Sequence, residues 1–281
     1  MTDLIIGSIK DYDVPAIAPY VHSITRTGYT GARIMFVNNI TNDARKKLEK
    51  YGFQLADGRG GSHGDFLERE RFYAPIEFLK QHAHEYRYVI WTDVRDLVFQ
   101  TNPSVWMEKN AGPYKLFGAG ECILIKNQSL NNWWVARGFE HAEYRWLRQH
   151  QVCCGGTLAG TAPMMRDALI KILELSSRGV NDQAALNYML RVSPFKEVAH
   201  VPRMAEGFCC TCSQFLSSGD EQDGGPEFWM DDPPVFNRAD GLVYTPDGKT
   251  PFMIVHQYNR DGGPFDRDRV WRGITEEKYR D

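Results

Sequence analysis

The chain has 281 residues, 42% of them hydrophobic and 12% aromatic, enough to bury a core in one large domain or two small ones. A formal net charge of -3 argues against bulk electrostatic attraction to nucleic acid or to anionic membrane. No apolar run reaches about eighteen residues, so no segment is expected to span a bilayer. The start, Met1-Thr2-Asp3, places an acid where a secretory leader needs basic residues, and it reads as a first strand. The cysteines are Cys122, Cys153, Cys154, Cys209, Cys210 and Cys212. Two vicinal pairs among them are poor disulfide partners, so reduced thiols and a cytoplasmic setting are expected. A zinc site from Cys209, Cys210 and Cys212 with Cys153 or Cys154 would need paired C-x₂₋₄-C spacings, which the chain lacks.

In chain order, Leu4 to Ile9 is a buried strand that ends in Lys10-Asp11-Tyr12-Asp13. Pro15 opens a helix with Ile17, Tyr20, Val21 and Ile24 on one face. Arg33 to Val37 is a second strand. Thr41 caps a second helix, which carries Ala44, Leu48 and Tyr51 and stops at Gly52. Phe53 to Leu55 reads as a third strand, and this alternation opens a doubly wound sheet. Gly58 to Gly64 is a glycine-rich flexible loop without the Gly-Lys-Ser/Thr ending of a phosphate-cradling loop. Residues 66–81 read as a helix that Pro75 must kink or restart.

The next stretch organises the chain. Tyr88 to Thr92 is an apolar strand that runs into Asp93-Val94-Arg95-Asp96 and then into Leu97-Val98-Phe99. Charge between buried segments is expensive unless it is paired or bound to a metal. Carboxylates at the end of a buried strand face the ligand crevice of an open α/β sheet. The bland alternative is a turn in which Asp93 caps a loop and Asp96 pairs with an arginine.

Further on, Lys115 to Gly118 and Cys122 to Ile125 read as two strand segments. Trp133, Trp134, Phe139, Tyr144 and Trp146 read equally as packing or as a sugar-facing surface. Cys154-Gly155-Gly156-Thr157-Leu158 reads as a strand edge where a ligand or another backbone comes close. Pro163 begins a helix that Gly179 stops. Asn181 caps another that starts Asp182-Gln183, where Asp182 fits equally as an acid favouring the helix dipole. Residues 217–234 are an acidic, turn-rich loop anchored by Phe228 and Trp229. Val243 to Val255 reads as a hairpin turning at Asp247-Gly248, and its second strand delivers His256. Two carboxylates after one strand and a histidine after a late one make an oxygen-dominated site suited to Mn²⁺ or Mg²⁺. Arginines beside such a metal would hold a diphosphate bidentately.

Several segments, in order, resemble the glycosyltransferases of the GT-A fold that use nucleotide-sugar donors. Tyr88 to Pro103 resembles their metal-binding strand. Arg71-Phe72-Tyr73-Ala74-Pro75-Ile76 resembles the helix whose arginine reaches the donor diphosphate. Cys154 to Thr157 resembles the small-residue strand beside the donor sugar, and Asn181 to Asn187 the Asp-Gln helix start of retaining members. Val255-His256-Gln257-Tyr258 resembles the C-terminal strand that completes the metal site. The acids here are spaced Asp-x-x-Asp, one residue wider than the family's Asp-x-Asp, and Arg260 with Gly262 stands where retaining families carry Gly and Lys.

The resemblance implies an α/β GT-A fold, with a Rossmann-like, mainly parallel central sheet flanked by helices. It implies one catalytic domain over 1–281, residues 1–103 forming the nucleotide-binding half and 104–281 the acceptor-side half. Asp93, Asp96 and His256 would hold Mn²⁺ or Mg²⁺, with Asp93 nearer the ribose. Tyr12, Arg71, Asp93, Arg95, Gly155, Gly156 and Arg260 would bind a nucleotide-sugar, UDP-linked, and Tyr12 would stack on its base. Asp182 and Gln183 would serve catalysis with retention, and Trp229 would meet a glycan or other hydroxyl-bearing acceptor. Two readings stand beside it: a metal-dependent phosphohydrolase or nucleotidyltransferase acting on nucleotide sugars, and a carbohydrate-binding protein without catalysis.

Overall fold

The computed structural model describes residues 1–58, 69–215, 226–237 and 239–259. Most of the expected glycine-rich loop, the acidic stretch 216–225, and Arg260 with the arginine-rich tail lie outside the described residues. The chain opens with β1 (Thr2–Lys10), α1 (Val14–Arg26), β2 (Ala32–Asn38), α2 (Asn42–Lys50) and β3 (Gln54–Asp57). Local chemistry sets these boundaries. The Asp13 carboxylate accepts from the Ala16 N–H with Pro15 in the first turn, and the Thr41 hydroxyl accepts from the Ala44 N–H. Ile17, Tyr20, Val21 and Ile24 form the fully buried face of α1, as their spacing predicts.

The next elements are α3 (Arg71–His82), β4 (Tyr86–Thr92), β5 (Leu97–Phe99), α4 (Pro103–Asn110) and β6 (Leu116–Leu124). Pro75 lies inside α3 and has no N–H for the Arg71 carbonyl four residues back; the Ser8 hydroxyl of β1 donates to that carbonyl instead, at 2.8 Å. Thus the helix continues through the proline without restarting, and the freed carbonyl ties the first turn of α3 to β1. The two segments read separately at 115–118 and 122–125 are one strand, β6. Its pairing is irregular past Gly120, which is why the sequence pattern breaks there.

After β6 come α5 (Ser129–Gly138), α6 (His141–Leu147), β7 (Gln151–Thr161), α7 (Ala162–Ser176), α8 (Asp182–Met189), β8 (Ala199–His200), β9 (Cys209–Thr211), β10 (Val235–Asn237), β11 (Leu242–Tyr244) and β12 (Ile254–His256). The main sheet has the order β3-β2-β1-β4-β7-β6-β8. It is parallel from β3 through β4, and β7 runs antiparallel between β4 and β6. One apolar cluster packs Leu4, Phe72, Trp91 and Leu169 on one face, and a second packs Ile5, Tyr20, Phe99 and Phe117 on the other. The sheet is therefore covered on both sides, as a mainly parallel sheet requires.

A small sheet, β5-β12-β9, stands at the end of the main one. Here the hairpin expectation is corrected. The turn at Asp247-Gly248 forms, with Gly248 at φ +71° and the Thr245 N–H donating to the Thr250 carbonyl. The hairpin continues through an antiparallel bridge between Tyr244 and Pro251 and the Phe252 N–H donating to the Val243 carbonyl, but past Phe252 the chain leaves it: β11 has its ladder with β10, while Ile254–His256 pairs with β5 and β9. Phe252 and Val255 are fully buried among Val98, Cys210 and Phe215, and that burial outweighs continuation of a two-stranded ribbon. The consequence is functional: β12 is delivered beside β5, directly after the Asp93–Asp96 turn. All six cysteines are free and buried. Among the described residues no helix is long and apolar enough to cross a membrane.

Candidate metal and nucleotide site

Strand ends converge at the carboxyl edge of β1, β2 and β4. Among the described residues, the non-glycine positions with left-handed backbone, Asp11, Asn39 and Gln257, directly follow β1, β2 and β12. Such conformations concentrate where function, rather than local preference, sets the backbone. Asp93 leaves β4 with its N–H donating to the Gly156 carbonyl of β7 at 2.8 Å, and the Gln257 N–H donates to the Asp96 carbonyl at 2.7 Å. Val94 is buried against Gly7, where a Cβ would stand 2.9 Å from the valine Cγ2, while Arg95 is exposed. The extra residue between the acids is thus accommodated by a turn that buries Val94, puts Arg95 outside, and points both carboxylates at one imidazole.

That imidazole is His256. Its Nε2 lies 3.5 Å from Asp93 Oδ2 and 3.5 Å from Asp96 Oδ1, and its Nδ1 lies 3.5 Å from Cys154 Sγ. Nε2 is buried and makes no hydrogen bond, and one ligand atom from each of Asp93, Asp96 and His256 falls within 4.8 Å of the others. Burial alone would push His256 down, yet Cys154, Asp93 and Asp96 raise it well above its ordinary value. The cluster is short of positive charge, and a divalent cation on its two carboxylates and imidazole fits it. Room for the ion is made by Gly156, where a Cβ would lie 2.6 Å from Asp93 Oδ2 and 2.8 Å from His256 Nε2. Gly156→Ala is expected to weaken Mn²⁺ binding roughly 10- to 100-fold, the range for disturbing a ligand's surroundings. Calorimetric titration checks this, with melting in chelator as the control for the fold.

Arg71, at the first turn of α3, joins this cluster to α8. Its Nη1 donates to Asp93 Oδ1 at 2.8 Å and its Nη2 to Asp182 Oδ2 at 2.5 Å, with the side chain only 11% exposed. The guanidinium also lies 4.7 Å from the Trp91 ring centre and 5.0 Å from that of Phe72. Burial would raise Asp93, but the Arg71 charge and His256 hold it well below the usual carboxylate range. Asp182 goes the other way: burial raises it, Arg71 and the Gln183 N–H offset this only in part, and neighbouring Asp93 adds to the rise. Two acids on one arginine are therefore pushed apart.

Asn181 caps α8 through its carbonyl oxygen, which accepts from Gln183 N–H and Ala184 N–H. Gln183 is a brace. Its Oε1 accepts from the Gly155 N–H at 2.8 Å, and its Nε2 donates to Asn131 Oδ1 at 2.7 Å. One turn on, the Asn187 side chain bonds both the N–H and the C=O of Cys153. These contacts satisfy the backbone of β7 where it bulges away from β6 between Cys154 and Leu158. Tyr12 is half-buried after β1, and burial followed by the Asp93 charge raises its hydroxyl, placing it within the field of the acids. Trp229 stands apart, edge-on to Phe215 with ring centres 5.0 Å apart. It lines a cavity of about 530 Å³ with Pro226, Met230, Asp231, Asp232 and Pro233. The structure thus brings together Asp93, Asp96, His256, Arg71, Asp182, Gln183, Gly155 and Gly156, with Tyr12 beside them. Arg260 lies outside the described residues.

Glu121 is the residue the sequence reading missed. It lies on β6 and is only 6% exposed, two positions beyond Ala119, whose register partner is Cys154. Strand alternation puts it on the face that carries Cys154 and His256. Among the described residues nothing hydrogen-bonds its carboxyl; burial pushes it up to about 7, against the opposing pull of His256. A carboxyl raised in the fold contributes stability that is complete below its ordinary value and lost as pH rises through the folded one. In chelator, the stability of wild type relative to Glu121→Gln is therefore expected to fall by up to about 3 kcal/mol between pH 4 and pH 8, as the 2.5-unit rise from 4.5 to 7 implies. Denaturant unfolding at several pH values reads this; a difference that is flat with pH contradicts it.

No family model and no curated protein matches the sequence. Solved structures do match. An active-site mutant of LgtC superposes with a TM-score of 0.59 at 12% identity, over 97% of this chain and 95% of that one. The galactosyltransferase LgtC in complex with donor and acceptor sugar analogues gives 0.56 at 13% identity over the same shares. Mouse xyloside xylosyltransferase 1 gives 0.53 at 11% identity, over 90% of this chain and 97% of that one. The fold is the mainly parallel, helix-flanked α/β fold of these GT-A glycosyltransferases.

Proposed function

We propose that this protein is a metal-dependent glycosyltransferase. It moves a sugar from a nucleoside-diphosphate-sugar, UDP-linked, to a hydroxyl of a glycan acceptor, with retention, using one catalytic domain. The observation that carries the reading is the convergence of Asp93, Asp96 and the hydrogen-bond-free His256 Nε2 on the space kept open by Gly156, at the crevice edge of a GT-A sheet. Asp93, Asp96 and His256 would hold Mn²⁺ or Mg²⁺, which when bound supplies Lewis-acid stabilisation of a diphosphate leaving group.

The other steps belong to side chains. Tyr12 offers a face for the nucleobase, and Asp93, more exposed than Asp96, is the acid nearer the ribose. Arg71 keeps Asp93 ionised and adds positive charge where the leaving group becomes negative. Gly155 and Gly156 let the donor sugar approach β7, and the Gln183 carboxamide fixes that strand. Asp182, paired to Arg71 on the same side, is the polar group nearest the sugar. Trp229 is the acceptor-side aromatic, and its carboxylate-lined cavity suits sugar hydroxyls.

The test is donor turnover with Mn²⁺ across UDP-, GDP- and CMP-sugars and an acceptor panel, with the product anomer read by NMR. Acceptor-dependent release of one nucleotide supports the proposal. Cleavage of the donor at the same rate without acceptor would favour the hydrolase reading, and no turnover would favour a binding protein.

A further inference from the structure

A second surface outside the cleft carries chemistry that the mechanism does not use. Helix α5 has two faces. Asn131 and Val135 are buried, while Leu130, Trp133 and Arg137, at i, i+3 and i+7, form one outward stripe, and Trp134 beside it is half-buried and packed against the core. Leu130 is 47% exposed and Trp133 is 51% exposed. Beside this stripe is a cavity of about 150 Å³ lined by Trp133, Trp134, Arg137, Gly138, Gly179 and Asn181. Pockets for drug-sized ligands run from about 300 Å³ upwards, so this one has the scale of a single ring.

We propose that this cavity is a carbohydrate subsite that holds a pyranose unit of an extended acceptor glycan. The lining selects the occupant. Two indoles line it, Trp133 exposed and Trp134 half-buried, and an indole's apolar face with its N–H edge suits the apolar face and hydroxyl rim of a sugar ring. The Arg137 guanidinium is stacked 4.7 Å from the Trp133 ring centre, has no carboxylate partner among the described residues, and lines the cavity. Gly179 leaves the backbone open, since a Cβ there would meet nothing within 4 Å.

The cavity also shares its supporting helices, α5 and α8, with the candidate cleft. Asn181 lines it, and the next residue, Asp182, holds Arg71; on α5, Asn131 holds Gln183 of that same cleft. A glycan whose reacting end lies in the cleft could therefore extend over the α5–α8 corner. This inference rests on the transferase reading only for the word acceptor; the subsite itself does not need catalysis.

The experiment probes an array of immobilised oligosaccharides of three to eight sugars with the labelled protein, without nucleotide. The proteins compared are wild type, Trp133→Ala, Arg137→Ala and Asp96→Ala. Trp133 and Arg137 are exposed, so both variants are expected to melt with wild type. Expected is binding of a glycan class by wild type that falls at least tenfold in Trp133→Ala and Arg137→Ala and persists in Asp96→Ala. If transfer activity is never found but this pattern holds, the subsite stands and the catalytic reading fails. Wild type that binds no glycan, or Trp133→Ala that binds as well as wild type, overturns the proposal. Trp133-dependent binding to phosphatidylglycerol vesicles with no glycan binding also overturns it, in favour of a membrane-facing helix.

Discussion

Arg71→Met is expected to destabilise the protein by about 3–5 kcal/mol at pH 7.5, the range for removing one partner from a buried ion pair. The substitution keeps an apolar stem but removes the guanidinium, and with it the cation–π contacts to Phe72 and Trp91 and the charge shared by Asp93 and Asp182. Asp182, 13% exposed, is then left without its cation. Its carboxyl is already raised in the wild type by burial, and losing Arg71 raises it further. A raised acid favours the fold below its ordinary value and loses that contribution as pH rises. The deficit should therefore be largest at pH 7.5 and shrink towards pH 5, where Asp182 takes up a proton. Arg71→Met with Asp182→Asn should recover part of the loss, since the second change removes the buried charge that the first exposes. Urea unfolding of the three variants at two pH values measures this. A loss under about 1 kcal/mol, independent of pH, would show that the arginine does not organise the acids.

Asp96→Asn is expected to leave the fold near wild type in chelator and to lower transfer on the order of 10³-fold, about 4 kcal/mol of transition-state stabilisation. Asp96 is 8% exposed and, unlike Asp93, is not held by Arg71. Asparagine keeps the shape but removes the charge a divalent ion needs. Kinetics at saturating Mn²⁺ separate weakened metal binding from lost chemistry: recovery at high metal assigns the defect to affinity. A variant within tenfold of wild type at all metal concentrations would remove Asp96 from the site.

Much of this arrangement was legible in the sequence because local rules and tertiary demands agree there. The β4 run ending in Asp93, the Thr41 and Asn181 caps, the Gly155-Gly156 step and His256 after an apolar strand each carry a local signature that the fold preserves. Elsewhere the partners are set by the fold, and no local pattern names them. Asp247-Gly248 marks its turn, but the choice of β5 and β9 as partners for β12 depends on Val98, Cys210 and Phe215, remote in sequence. Gln183 reads as a catalytic side chain, and only the fold reveals Gly155 and Asn131 at its two ends. Glu121 has no local signal, since an acid in a glycine-broken strand resembles a solvated edge until burial is known. Arg71 reads as a diphosphate ligand, and only the fold reveals Asp93 and Asp182 as its ion-pair partners.

The measurement that bears most directly on the central claim is the melting temperature against UDP-, GDP- and CMP-sugars, with and without Mn²⁺, for wild type and Asp96→Ala. A ligand that binds only the folded state at 100 times its Kd adds about 2.7 kcal/mol, enough for a rise of several degrees in a chain of this size. The account predicts such a rise with UDP-sugars, only when Mn²⁺ is present, and none in Asp96→Ala. An equal rise without metal, or no rise with any nucleotide-sugar in the presence of Mn²⁺, would contradict it.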